Sequence, residues 1–174
     1  IRLDHYAMDD GTGIAYADDV HAIPMHARAA YGEAGRAIGR SGADMLWIQH
    51  EYGIYGGAAG DYLLDLIDAV SIPIVTTLHT LLENPSADER RVLNRLIARS
   101  SKLIVMADKG RTILKDIFDV PAGMIEVIPH GVPDRAFVDP EEMKPRFDLA
   151  GRKVILTFGL LAPDKGIETM ISAM

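Results

Sequence analysis

From residue 44 to residue 128 the chain alternates short apolar runs with amphipathic stripes, and the connections between them are short. Met45-Leu46-Trp47-Ile48 is four apolar residues in a row, the pattern of a strand buried in a parallel sheet. Gly53, Gly56, Gly57 and Gly60 make a glycine-rich loop, and Asp61 is placed to cap a helix bearing Leu63, Leu64, Leu66, Ile67 and Val70. Residues 72–78 are rich in β-branched side chains and predict a second strand, with Pro73 at its start. Ser86-Ala87-Asp88-Glu89 has the spacing of a capping box and opens a helix whose stripe is Val92, Leu93, Leu96 and Ile97. A third strand is expected over 103–106. Asp108 is expected to cap a helix carrying Ile113, Leu114, Ile117 and Phe118, and a fourth strand is expected over 124–128. Strands joined by helices through short loops give βαβ units, hence an α/β fold with a parallel sheet and helices on both faces.

The flanking segments are less regular. Residues 1–8 read as a strand, 9–13 as a loop, 20–25 as extended, and 27–39 as a helix loosened by Gly32 and Gly35. Five of the nine prolines fall between Pro121 and Pro145. Residues 131–150 are polar and proline-marked, which predicts a linker. A new strand is expected over 152–158, then a turn, then a helix from Asp164 or Lys165. That helix has Ile167, Met170, Ile171 and Met174 on one stripe, and the chain stops without a helix stop signal. With Ile1 rather than Met at the start, the expectation is a piece of something longer.

Ligands of open parallel sheets bind at the carboxyl ends of the strands. Here those ends are polar: Gln49-His50-Glu51-Tyr52-Gly53, His79-Thr80 and Pro129-His130-Gly131. His50, His79 and His130 together favour a site there. A zinc reading fails on spacing, because His50-Glu51 has no second histidine one helical turn on. Gly11-Thr12-Gly13 lacks the third glycine of a dinucleotide fingerprint, and Asp164 stands where a P-loop needs glycine before Lys165. Residues 159–166 do combine a glycine turn and a lysine at a predicted helix start, an arrangement that suits a diphosphate. Composition narrows the field further. Lys plus Arg total 18 against 25 Asp plus Glu, a net charge of −7, which argues against a nucleic-acid partner. There is no cysteine, so thiolate metal sites and cysteine nucleophiles are excluded, and a reducing cytoplasm fits. No apolar run approaches the roughly 18 residues of a transmembrane helix.

Four motifs in order, Val75-Thr76-Thr77-Leu78-His79-Thr80, Leu103-Ile104-Val105-Met106-Ala107, Val127-Ile128-Pro129-His130-Gly131-Val132 and Phe158-Gly159-Leu160-Leu161-Ala162-Pro163-Asp164-Lys165-Gly166, resemble those of family 4 retaining glycosyltransferases. Gln49-His50-Glu51-Tyr52-Gly53-Ile54-Tyr55-Gly56-Gly57 is similar to one bacterial branch of that family.

The resemblance implies the N-terminal half of a GT-B architecture, in which two Rossmann-like domains face a cleft. Residues 1–130 would be the acceptor-side domain without its first strand, 131–150 the interdomain linker, and 151–174 the first strand and helix of the donor domain. It implies transfer of a sugar from a nucleoside-diphosphate donor to a hydroxyl acceptor, saccharide or lipid-linked, with no metal or other cofactor. It makes His79 the catalytic position facing the donor sugar, and Gly159, Leu160, Lys165 and Gly166 the diphosphate-binding turn. His50, Glu51, Tyr52, Gly56 and Gly57 would line the acceptor side, and His130 and Gly131 the hinge near the cleft. Leu160 stands where the family usually has arginine, which removes one cation. The family's paired glutamates and base pocket would lie beyond Met174, so this piece alone is expected to be inactive. It is also expected to dimerise through an exposed strand edge or a swapped terminal segment. The alternatives are a non-catalytic binding or assembly module, and another GT-B enzyme such as an epimerase or phosphorylase.

Overall fold

The computed structural model describes residues 1–159 and 165–174, which divide into two units, 1–131 and 132–174. The first unit is the expected α/β fold, parallel sheets flanked by helices. Strands β1 (His5–Asp9) and β2 (Val20–Pro24) pair in parallel as one sheet. Strands β3 (Leu46–His50), β4 (Ile74–Leu78), β5 (Lys102–Val105) and β6 (Ile125–Val127) form a second parallel sheet in that order. Helix α1 (Arg28–Arg40) leads into β3, and α2 (Leu63–Ala69), α3 (Ala87–Arg99) and α4 (Asp108–Phe118) are the three crossovers of the larger sheet.

Side-chain alternation decides what each strand buries. Ile48 and His50 of β3, Ile74, Thr76 and Leu78 of β4, Leu103 and Val105 of β5, and Ile125 of β6 are buried and share one face. On that face Val92 and Leu96 of α3 pack in one cluster with Ile48 and Ile74, and Leu93 of α3 and Leu114 of α4 in a second with Leu78, Leu103, Val105 and Ile125; all four helix residues are wholly buried. Each such side chain stabilises the fold by roughly 1.5–3 kcal/mol relative to exposure. The intervening positions face the other way. Trp47 is 56% exposed and Gln49 is exposed, whereas Thr77 is nearly covered. In a strand order that advances without reversal, right-handed crossovers carry successive helices to one side.

Helix ends follow the sequence in one case and depart from it in two. The capping box at α3 forms as expected: the Ser86 hydroxyl accepts from the Glu89 N–H at 3.3 Å, and the Glu89 carboxylate accepts from the Ser86 N–H at 2.7 Å. Ser86→Ala should therefore lower stability by about 1 kcal/mol, readable as a shift in the urea midpoint at unchanged slope. Asp61 does not cap α2; Tyr62 holds the N-cap position without a side-chain bond, and Asp61 pairs with Arg91 at 3.1 Å. Asp108 is the first residue of α4 rather than its cap, and pairs with Arg111 at 3.1 Å. In both places an ion pair along the surface draws the carboxylate away from the helix N–H groups. Helix α2 is closed from outside, because the Arg99 guanidinium donates to the carbonyls of Ile67 and Val70, satisfying acceptors that a helix C-terminus leaves over.

Gly35 does not loosen α1. A Cβ there would lie 2.5 Å from the Leu66 carbonyl oxygen and 2.9 Å from the Ala69 Cβ, so the missing side chain is what lets α1 and α2 meet backbone to backbone.

In the second unit, residues 140–147 are helical rather than plain linker. Asp139 caps α5 (Pro140–Met143) by accepting from the Glu141 N–H at 2.9 Å, Pro140 sits at the first helical position, and a 3-10 turn, Lys144–Phe147, follows. The Asp-Pro-Glu-Glu start carries that signal. The strand expected over 152–158 does not form. Strand structure requires a partner, and none of the described residues pairs with this segment. Ile155, Leu156 and Phe158 are exposed, Phe158 at 96%. Helix α6 (Ile167–Ser172) ends the chain.

Candidate functional site

The carboxyl ends of β3 to β6 gather the polar groups of the first unit. His79 follows β4 directly. Its N–H donates to the His50 carbonyl at 3.0 Å, which continues the β3–β4 ladder one residue further and fixes the backbone there. Its ring is exposed, with Nε2 2.9 Å from Gln49 Oε1. The His130 ring stands 6.3 Å from it, centroid to centroid. Between them lies a cavity of about 310 Å³, whose lining includes Met106, Ala107, Lys109 and Gly110. Lys109 is the cation of that lining and is ion-paired with Glu83.

Glu51 is half-buried and doubly held. One carboxylate oxygen accepts from the Tyr52 N–H at 3.1 Å and caps the 3-10 turn Tyr52–Ile54; the other accepts from the Thr80 hydroxyl at 2.6 Å. This joins the loop after β3 to the residue next to His79.

Other expected site residues turn inward. His50 is fully buried, stacked against Tyr55 at 6.1 Å and edge-on to Tyr52 at 4.8 Å. Neither of its ring nitrogens has a hydrogen-bond partner among the described residues. Burial outweighs the nearby Glu51 and holds its pKa down at about 4. What His50 gives the site is its carbonyl. Tyr52 and Tyr55 are buried too. The Tyr55 hydroxyl donates to the Gln49 carbonyl at 2.7 Å, and burial pushes the Tyr52 phenol up to about 12. Gly56 is buried where a Cβ would lie 2.0 Å from the Met25 carbonyl oxygen, while Gly57 is exposed with φ of +86°. The loop is shaped by what must pack beneath it. His130 and Gly131 are exposed after β6.

In the second unit, Gly159 is exposed with φ of +134°, and Lys165 and Gly166 immediately precede α6. Leu160 lies outside the described residues.

The sequence expectations do not include Gln49, Thr80, Lys109 or Gly110 as site residues. For the last two the signal is present: Asp108-Lys109-Gly110 is a polar, glycine-containing start to the helix after β5, at the same end of the sheet as His79. No helix among the described residues is long and apolar enough to cross a membrane.

A family model described as Glycosyltransferase Family 4 matches residues 9–135. No curated protein and no solved structure matches the chain. The matched span holds β2 to β6, α1 to α4 and every residue of the cavity between His79 and His130. A parallel α/β unit with its polar groups at the carboxyl end of the sheet, matched over most of its length, places the function in the glycosyltransferase class, and the chain belongs to glycosyltransferase family 4.

Proposed function

We propose that the protein is a retaining glycosyltransferase that moves a sugar from a nucleoside diphosphate to a hydroxyl of a saccharide or lipid-linked acceptor. In that reaction the bond between the anomeric carbon and the diphosphate oxygen breaks, and its electron pair leaves on the diphosphate. The bond to the acceptor oxygen forms on the same face of the sugar, and the acceptor's proton passes to the departing diphosphate oxygen. The observation that carries this reading is His79: an exposed imidazole at the carboxyl end of the second strand of the sheet, backbone-pinned, bonded by one nitrogen and bordering a cavity. A group so placed orients sugar hydroxyls and phosphate oxygens near the reacting carbon, and positioning of this kind lowers a barrier without covalent chemistry.

The diphosphate is assigned to Gly159, Leu160, Lys165 and Gly166, whose lysine ammonium would offset the charge on the leaving group. Glu51, held by Thr80, is assigned to the acceptor side. His50, Tyr52 and Gly56 serve that side from beneath, by holding the loop in shape.

The test is release of nucleoside diphosphate from a panel of sugar nucleotides by the full-length protein. His79→Ala should lower kcat/KM about 100-fold at unchanged melting temperature, because the ring is exposed. Wild-type turnover in His79→Ala would remove His79 from the reaction.

A further inference from the structure

Three side-chain hydrogen bonds climb from β3 to β4 toward the cavity. The Trp47 indole N–H donates to the Thr77 hydroxyl at 2.9 Å, Gln49 meets His79 at 2.9 Å, and the Thr80 hydroxyl donates to Glu51 at 2.6 Å. The register sets the Gln49 bond. Gln49 stands opposite Thr77, so the side chain two residues farther along the neighbouring strand, on the same face, is His79. The Trp47 bond spans the same offset, since Trp47 stands opposite Val75 and reaches Thr77. Among the described residues, Gln49 is the side chain that hydrogen-bonds the His79 ring.

The chemistry of that contact is specific. A side-chain carbonyl oxygen only accepts, so the ring nitrogen facing it carries the proton. Nε2–H is then occupied by Gln49, and Nδ1 is the nitrogen left over. An amide also orients the ring without placing a negative charge beside a diphosphate, as a carboxylate would.

We propose that Gln49 is the positioning residue of His79: its side-chain carbonyl holds the imidazole as the Nε2–H tautomer and in one orientation, which reserves Nδ1 for the sugar-nucleotide donor. This rests on the assignment of His79 to the donor side. Gln49 acts only through His79 and touches no reacting atom itself.

Two measurements test it, one of them independent of activity. Nitrogen-15 spectra of the imidazoles, recorded where histidines are neutral, report the tautomer of each ring. The wild-type His79 ring should be held as Nε2–H, and Gln49→Leu should release it to the two-tautomer mixture of a free imidazole. Gln49→Glu keeps an acceptor and should keep the Nε2–H form. In the transfer assay on the full-length protein, Gln49→Leu should lower kcat about tenfold with little change in KM. Gln49→Glu should recover kcat, while its charge raises KM for the donor. Gln49 is exposed, so both variants should melt with the wild type. An Nδ1–H ring in the wild type, an unchanged tautomer in Gln49→Leu, or equal kcat in the Leu and Glu variants would overturn the proposal. Full turnover by His79→Ala would instead strike the donor-side assignment, and the spectra would still decide whether Gln49 sets the tautomer.

Discussion

Gly56→Ala should be among the most damaging single substitutions in the first unit, costing about 4 kcal/mol. A Cβ at this position would lie 2.0 Å from the Met25 carbonyl oxygen and 2.7 Å from the Tyr62 ring. Neither is the free end of a flexible chain. The Met25 carbonyl is engaged, because it accepts from the Tyr31 hydroxyl at 2.8 Å. The same hydroxyl accepts from the Gly56 N–H at 2.8 Å, and Tyr31 is wholly buried. A methyl group must therefore push the Met25 and Gly56 backbones apart and pull both bonds off the one phenol that joins them. Overpacking a tight core costs about 1–3 kcal/mol, and each buried polar group left unpaired costs a similar amount. For a chain of this size the sum corresponds to a fall in melting temperature of about 10 °C. Tyr31→Phe removes the bonds without the clash and should cost about half as much. A melting temperature within about 2 °C of wild type for Gly56→Ala would show that the loop yields and that the contact is not a constraint.

The second large effect depends on pH and is centred on His50. Its pKa falls from 6.5 to about 4 in the folded protein, first because burial disfavours the charged ring, with Glu51 opposing the change and His79 adding to it. The unfolded chain therefore takes up a proton at a higher pH than the folded one does. Stability is complete above pH 6.5, declines as the pH falls through the window, and levels off once the pH passes below about 4 and both forms are protonated. A tenfold change in proton affinity is worth about 1.4 kcal/mol, so the loss across this window is about 3 kcal/mol. His50→Leu replaces a ring with two unpaired nitrogens by an apolar side chain of similar volume, so it should remove this component of the pH dependence. It should also be no less stable than wild type at neutral pH, since a buried polar group without a partner is itself destabilising. Urea midpoints of both proteins across this range make the comparison. Parallel curves would mean that the ring is reached by water or finds a partner on protonation.

Residues 49 and 50 show where sequence stops short. Both follow an apolar run and both are polar, and histidine is the more familiar site residue. Side chains alternate along a strand, so only one of the two could face the cavity. Trp47 and Ile48 are both large and apolar and do not reveal which. Packing against α2 and α3 chose the even positions, which buried His50 and left Gln49 beside His79. Tyr52, Tyr55 and Gly56 follow the same logic. Aromatic rings and glycines in a loop read equally well as a binding surface or as a close-packed floor; here Tyr52 and Tyr55 pack against the buried His50 ring, and Gly56 is hemmed in by Met25, Tyr31 and Tyr62.

What the sequence determined by itself is local or periodic: four strands of the larger sheet, the helices between them, the parallel alternation, the capping box at Ser86, and the collection of polar residues at the carboxyl ends. Those follow from side-chain period, capping chemistry and the handedness of βαβ units, which need only nearby residues. The tertiary structure decided everything that depends on a partner far along the chain. Asp61 left its helix cap for Arg91, Gly35 became the contact between α1 and α2, residues 152–158 stayed out of any strand, and the register of β3 on β4 brought Gln49 to His79. A strand needs a neighbour and an ion pair needs its counter-ion, and neither is written at the position that receives it.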